Sequence, residues 1–367
     1  MAINGYIYMN YDESPVPEKF AAFQAEGRKN RPSDIEHRAM VDSECTSDAR
    51  VRLTEGRGNQ TVPAFSLLGF SDLPELQILH FVTFLSIYSA ALVGNFLLML
   101  TVVQNQSLHN PMYFFLANLS LSDACYISAT VPKSMAISWT NNKLISFPGC
   151  VAQVFLVLTC AGVELTFLAV MAYDRYVAIC HPLQYTMLMN WNTCIQMAAA
   201  SWISSIISAS MNTANTFRLH FSSSKIEQYF CDIPQLLMIS CTDTTANMVV
   251  LVIEAVVICS FCFFGIVTSY AFILQNVLKI KSAKARSKAF STCIPHLTVL
   301  SLFLSTALFS YMKPKSMSSA PVDLTAAVLY TILPPLLNPI IYSLKNKEIH
   351  VAMQKMLKKR FGFCVII

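Results

Sequence analysis

The sequence predicts an all-α membrane protein, a bundle of seven transmembrane helices, and three observations lead to this class. Hydrophobic residues make up 54% of the 367 residues and charged residues only 13%, too apolar a balance for a soluble domain. Seven stretches each offer the roughly 20 mostly apolar residues that a helix needs to cross a bilayer. None of them contains Lys or Arg, and a backbone in lipid must pair its own polar groups, which favours helices.

The seven spans follow one another closely along the chain. They are predicted over residues 80–103, 112–131, 151–173, 193–213, 247–275, 289–312 and 322–344. With the amino end outside, six Lys and Arg residues fall in the inner loops and six in the tail, against six in the outer loops, which predicts that orientation. The basic residues behind the net charge of +5 therefore mark the inner membrane face and give no indication of nucleic-acid binding.

Three regions divide the chain. Residues 1–58 form an N-terminal extension with no recognisable fold, and disorder is its expected state. Residues 59–345 hold the seven spans, preceded by a glycosylation sequon at Asn59 on the predicted outer side. Residues 346–367 form an inner tail, in which apolar residues among bases predict a short amphipathic helix lying on the membrane lipid.

Polar side chains inside the spans are costly, so each is a candidate functional residue. Asp123 in the second span and Glu164 in the third both lie roughly 16 Å from the inner face at 1.5 Å per residue. Asn95 in the first span and Asn338 in the seventh lie nearer to that face. Two carboxylates at one depth either share a proton, hold a cation between them, or are separately protonated against neighbouring helices. Glu254, in the outer part of the fifth span, is either a ligand contact or a packed, protonated acid.

Four cysteines fall on the predicted outer side of the membrane: Cys45, Cys150, Cys231 and Cys241. Cys150 opens the third span and Cys231 lies in the middle of the loop between the fourth and fifth spans. A bridge between these two would tie that loop over the helices. Most of the other cysteines lie in spans or on the inner side, where free thiols are expected.

The motifs of enzymes are absent from the sequence. Its seven histidines show no metal-binding spacing, and it contains no phosphate-binding loop, dinucleotide fingerprint or nucleophile elbow. A membrane hydrolase would need clustered His and Asp ligands, which the chain lacks. A channel or transporter would need inverted repeats or a continuous polar helix face, and neither is found. The chain is therefore not predicted to be an enzyme.

Six stretches together resemble one family, the olfactory receptors of the rhodopsin-like class of G-protein-coupled receptors. The stretches are Gly94-Asn95, LHNPMYFFLANLSLSD (108–123), MAYDRYVAICHPLQY (171–185), Ser269-Tyr270, KAFSTCIPHL (288–297) and PPLLNPIIYSLKN (334–346). They occur in the order and spacing of the family, and the likeness covers residues 59–360. Any one of them alone is a modest match, whereas six in register across seven spans are highly specific.

The resemblance implies a molecular switch at the inner ends of the helices. Arg175 with Asp174 resembles the ionic latch whose release lets the sixth helix move out and a G protein dock. Tyr270 and Tyr342 resemble the tyrosines that support this arginine in the active state. The full set of implied switch residues is Asp174, Arg175, Tyr176, Tyr270, Asn338, Pro339 and Tyr342.

The resemblance also implies a sodium pocket, a disulfide and a ligand site. The sodium ligands would be Asp123, Glu164, Asn95 and Asn338, and the disulfide would join Cys150 to Cys231. Odorants of this family bind between the third, fifth and sixth helices. The facing positions here are Val157, Leu158, Ala161, Gly162, Glu254, Ile258, Ala307, Leu308, Tyr311 and Thr331.

By this resemblance the chain is a multi-pass plasma-membrane glycoprotein that binds a small volatile odorant. It would activate a heterotrimeric G protein of the stimulatory type and raise cyclic AMP, with no cofactor other than an allosteric sodium ion. Three positions depart from the family pattern. Ser222 replaces a cysteine and leaves Cys241 without its usual partner, Pro295 replaces a common serine, and Leu304 replaces a common tyrosine.

Overall fold

The computed structural model describes residues 63–71, 73–312 and 320–361. Within these ranges, seven helices are long and apolar enough to cross a membrane, which confirms the predicted number of spans. The predictions for residues 1–58 and for Asn59 lie outside the described residues, as does the side chain of Tyr311.

The seven long helices are α1 (Pro74–Gln104), α2 (Pro111–Thr140), α3 (Phe147–Cys180), α4 (Trp191–Phe217), α5 (Thr245–Leu278), α6 (Ala283–Met312) and α7 (Ala320–Lys345). Each extends beyond the predicted span, because the polar residues at the membrane edge continue the helix. Helix α2 runs nine residues past the predicted end at 131, with Pro132 inside it. A shorter helix, α8 (Lys347–Phe361), follows α7 directly.

Local sequence signals fix where several of these helices begin. Proline occupies the first turn of α1, α2 and α3, where its missing N–H removes no helical hydrogen bond. The side chain of Asn110 accepts a hydrogen bond from the backbone N–H of Tyr113 at 3.3 Å and caps α2. Asn190 caps α4 in the same way through Thr193, at 3.0 Å.

Helix α3 is the centre of the bundle and packs against α2, α4, α5 and α6. The approach of α3 to α4 depends on a glycine: a Cβ at Gly162 would lie 3.0 Å from the Ser205 hydroxyl oxygen. Helix α1 approaches α7 in a similar way, since a Cβ at Gly94 would lie 3.0 Å from Pro339 Cγ. Small residues at such contacts let helix backbones come close together in a membrane.

A short sheet covers one end of the bundle. Strand β1 (Ala64–Ser66) pairs antiparallel with β2 (Leu144–Ser146), and on its other side it bonds to the loop between α4 and α5. Ser66 N–H donates to Ser224 O at 2.7 Å, and Ile226 N–H donates to Ser66 O at 2.9 Å. We call β1, β2 and residues 224–228 the outer lid. The sequence did not predict it, because strands of three residues leave no readable period.

Helix α8 is amphipathic and lies against the bundle. Ile349, Ala352 and Met356 are buried along one face, at a spacing of three and four residues. The hydroxyl of Thr101 in α1 lies 3.8 Å from the Met356 sulfur, so this face packs on the bundle. Asn346, between α7 and α8, accepts hydrogen bonds from the backbone N–H groups of Glu348 and Ile349 at 3.0 and 3.3 Å.

Candidate functional site

The end of the bundle predicted to face the cytoplasm carries a charged pair at the end of α3. Asp174 is fully buried, and its carboxylate accepts hydrogen bonds from Arg175, with the Nε atom at 2.9 Å. The hydroxyl of Tyr185 donates a second bond to Asp174 at 2.7 Å. We call Asp174, Arg175 and Tyr185 the inner latch. Sequence reasoning missed Tyr185, although it closes the same motif eleven residues after the acid.

Three of the other predicted switch residues, Tyr176, Tyr270 and Tyr342, form no hydrogen bond to the inner latch in the described part of the chain. The hydroxyl of Tyr270 in α5 is 2.6 Å from His296 Nδ1 in α6, and the two rings are stacked. This bond joins α5 to α6 beside the arginine. Tyr342 in α7 is fully buried. Tyr176 makes a hydrogen bond of 3.0 Å with His181, at the end of α3.

A polar cluster lies in the middle of the bundle, where the sequence placed two acids at one depth. Asp123, Glu164 and Asn338 are at most 2% exposed. The amide of Asn338 donates to both carboxylates, at 3.0 Å to Asp123 and 3.4 Å to Glu164. One side chain of α7 thus connects the acids of α2 and α3. We call these three residues and Asn95 the polar centre.

Asn95 does not bond to the acids, and the reason lies in the prolines of α7. Pro339 has no N–H, so the carbonyl of Pro335 four residues earlier loses its helical donor. The amide of Asn95 in α1 donates to this carbonyl at 2.8 Å. A broken helical bond in the membrane must be replaced, and Asn95 replaces it.

The polar centre has the donor set that a small cation requires. Asp123 Oδ1, Asn95 Oδ1 and Asn338 Oδ1 are buried, and none has a hydrogen-bond partner in the described part of the chain. All three are oxygen acceptors, the ligand type preferred by hard cations. Because these oxygens are not already occupied by hydrogen bonds, the polar centre fits a monovalent cation.

Towards the opposite end, a group of buried side chains fills the space between α2, α3, α6 and α7. We call this group the outer cluster; it consists of Tyr126, Val157, Cys160, Tyr229, Phe230, Ala307, Ala327 and Tyr330. Two predicted ligand contacts, Val157 and Ala307, belong to it. A third, Thr331, is fully buried and hydrogen-bonded to the hydroxyl of Tyr229.

The structure places the other predicted ligand contacts in different surroundings. Glu254 accepts a hydrogen bond from the Asn212 amide of α4 at 2.6 Å, which accounts for an acid in the fifth span. Gly162 packs against Ser205 of α4. Leu308 is 52% exposed. Ile258 packs against the main hydrophobic core of the bundle. Leu158 packs against the hydrophobic residues beneath the outer lid, and Ala161 is half-buried.

The loop between α4 and α5 is fixed over the outer cluster by a disulfide and a glutamine. The structure contains the disulfide between Cys150 and Cys231. Gln153, one turn along α3, accepts a hydrogen bond from the Cys231 N–H and donates to Ala129 O of α2, both at 2.8 Å. Sequence reasoning missed Gln153, because a single glutamine in a span gave no pattern. Cys241 is also disulfide-bonded, although Ser222 removes its usual partner.

Comparisons with known proteins find similar sequences and a similar fold. A family model described as olfactory receptor matches residues 84–360. Olfactory receptor 14C36 of Homo sapiens is 49% identical over 302 residues, which cover 82% of this chain and 97% of the relative. Olfactory receptor 14A16 of Homo sapiens is 48% identical, covering 81% and 96%. The crystal structure of squid rhodopsin matches with a TM-score of 0.60 and 18% identity, over 81% of this chain and 90% of that one.

Proposed function

Because the chain belongs to the olfactory receptor family of G-protein-coupled receptors, we propose that it binds a small volatile odorant between its helices and activates a stimulatory G protein. The predicted class is confirmed: the chain is a multi-pass membrane receptor and not an enzyme. We propose the rise in cyclic AMP, the chemistry of the odorant and the roles of single residues.

The observation that carries the proposal is the inner latch. Arg175 is held by a buried acid, which occupies its Nε and one of its terminal nitrogens, so this side of the guanidinium is turned away from a partner protein. In the signalling state we expect Arg175 to leave Asp174, with Tyr270 and Tyr342 supporting it. An odorant favours this state only if it binds that arrangement more tightly than the latched one, since equal affinity shifts nothing.

The outer cluster is the candidate odorant site. Its side chains are mostly apolar with a few hydroxyl groups, which suits contact with a small molecule of low polarity. It is separated from the inner latch by the polar centre. The odorant therefore acts on Arg175 indirectly, through the positions of α3, α6 and α7.

The polar centre would hold a sodium ion through the oxygens of Asp123, Glu164, Asn95 and Asn338. A bound cation supplies positive charge between two acids, and this favours their ionised forms. Asn338 would then keep its hydrogen bond to one carboxylate, while its own side-chain oxygen turns towards the ion. We propose that this ion stabilises the latched arrangement.

Replacing Arg175 by Ala tests the function. We expect Arg175→Ala to abolish odorant-stimulated cyclic AMP while the receptor stays in the membrane, because the substitution leaves the seven spans unchanged. Arg218→Ala, at the predicted outer end of α4, is the matched control and should signal normally. The assay uses cells carrying the full chain, an odorant panel and a cyclic AMP reporter. Normal signalling by Arg175→Ala would contradict the proposed switch.

A further inference from the structure

One side chain of the outer loop is buried inside the bundle rather than above it. Tyr229 lies in the loop between α4 and α5, yet none of its surface is exposed. Its ring packs 4.9 Å from that of Phe230 and 5.7 Å from that of Phe70, measured between centroids. Val157 and Ala307, both predicted odorant contacts, belong to the same cluster. The phenol therefore occupies space that an odorant would need.

The hydroxyl of Tyr229 is hydrogen-bonded to the hydroxyl of Thr331 in α7, and the direction of this bond can be assigned. Thr331 Oγ1 donates its own hydrogen to the carbonyl of Ala327 at 2.8 Å. Its remaining capacity in this arrangement is as an acceptor, so Tyr229 is the donor. Burial raises the pKa of Tyr229, so the phenol keeps its proton at neutral pH.

The chain on both sides of Tyr229 is anchored to the rest of the outer face. The carbonyl of Gln228 accepts a hydrogen bond from Leu68 N–H at 2.9 Å, which ties it to the segment after β1. Cys231 is held by its disulfide and by Gln153. Tyr229 is therefore presented to Thr331 by a fixed backbone, so a ligand that reaches Thr331 has to displace this side chain and not the loop.

We propose that Tyr229 is a specificity-determining residue of the odorant site, because it competes with the ligand for the acceptor oxygen of Thr331. A ligand that replaces the phenol must donate a hydrogen bond to that oxygen. The site therefore selects phenols and alcohols over ethers and esters of the same shape, which only accept. This inference rests on the proposed function for its meaning in odorant recognition, but its test requires no signalling.

In the test, a small phenol fills the space that is left when the tyrosine side chain is removed. Tyr229→Ala in the full chain, purified in detergent, should bind p-cresol, which reproduces the missing phenol. We expect p-cresol to raise the melting temperature of Tyr229→Ala and to leave the wild type and Tyr229→Phe nearly unchanged, because their rings fill the site. Engineered cavities in protein cores bind small aromatic molecules of matching size in this way.

The role of the donor is tested with 4-methylanisole, in which a methyl ether replaces the hydroxyl. One net hydrogen bond corresponds to about a five-fold preference for p-cresol over this ether. The preference should disappear in the double variant Tyr229→Ala, Thr331→Val. Equal stabilisation of Tyr229→Ala by both compounds, or none by p-cresol, would overturn the proposal.

Tyr229→Ala could also fail to reach a folded state, and this outcome is measured in the same experiment. Cells expressing the variant are grown with p-cresol or with 4-methylanisole, and receptor at the surface is counted by antibody. We expect p-cresol to restore surface expression more than the ether does; no recovery with p-cresol would refute the inference. Neither readout depends on a G protein, so a failure here is distinct from normal signalling by Arg175→Ala.

Discussion

The contact between α1 and α7 gives a prediction whose size follows from the structure. A Cβ at Gly94 would lie 3.0 Å from Pro339 Cγ and 3.3 Å from Pro339 Cβ. The proline ring cannot rotate away, so Gly94→Ala must push the two helices apart by a few tenths of an ångström. The next residue, Asn95, bonds to the Pro335 carbonyl at 2.8 Å, and the same displacement strains that bond.

Inserting a methyl group into a packed contact costs about 1–3 kcal/mol, and we take about 2 kcal/mol for Gly94→Ala. The change from Gly to Ala inside a helix also contributes about 1 kcal/mol in favour of folding. Gly265 in α5 supplies the control, because a Cβ there meets no atom within 4 Å. Gly265→Ala gains the helix contribution without the clash. The difference in stability between the two variants therefore measures the cost of the contact alone.

At about 2 °C per kcal/mol, the value for the larger single domains, Gly94→Ala should melt about 4 °C below Gly265→Ala. The assay is thermal unfolding of the receptor in detergent, with both variants measured at the same receptor concentration. If the two variants melt at the same temperature, α1 and α7 are not in the close contact described, and the explanation of Asn95 is wrong as well.

Three further predictions concern the polar centre and the outer loop. Asp123→Asn should weaken the effect of sodium on the odorant response, because the amide removes a negative ligand; unchanged sodium dependence in the reporter assay would argue against the ion. Gln153→Ala should lower the melting temperature in detergent by a few degrees, because the buried Cys231 N–H loses its acceptor; Gln354→Ala in α8 is the control. Burial raises the pKa of Asp232 from 3.8 to about 6, so the folded state holds an extra proton between these values. Stability should therefore fall as pH rises through that window, and Asp232→Asn should remove this part of the pH dependence of melting.

Much of the molecule could be predicted because membrane helices leave strong signals in a sequence. Apolar stretches of the right length predicted the seven spans, and the common depth of Asp123 and Glu164 agrees with their bonds to one side chain, Asn338. The sequence named Asn95 as a polar residue of the first span but gave no hydrogen-bond partner for its amide. Its partner is a backbone carbonyl released by Pro339, and that pairing depends on how α1 packs on α7.

The outer loop could not be predicted in the same way. Tyr229 precedes Cys231 by two residues, so the disulfide keeps its backbone near α3. Whether its ring points into the bundle or out to water depends on the backbone bonds of the outer lid. Those bonds involve main-chain atoms of Leu68 and Gln228, and side-chain patterns carry no information about them.

Helix α7 carries side chains along most of the length of the bundle, and this suggests how the functional regions communicate. Thr331 contacts the outer loop, Asn338 bonds the two acids, and Tyr342 is buried closer to the inner end of the helix. Asn338 is about 10 Å from Thr331 along the helix axis, and Tyr342 about 16 Å, at 1.5 Å per residue. Pro335 and Pro339 remove helical hydrogen bonds between these points, so this part of α7 bends more easily than a regular helix. A ligand that replaces Tyr229 at Thr331 therefore acts on the helix that holds the polar centre. We expect this helix, rather than a direct contact, to couple odorant binding to the release of Arg175.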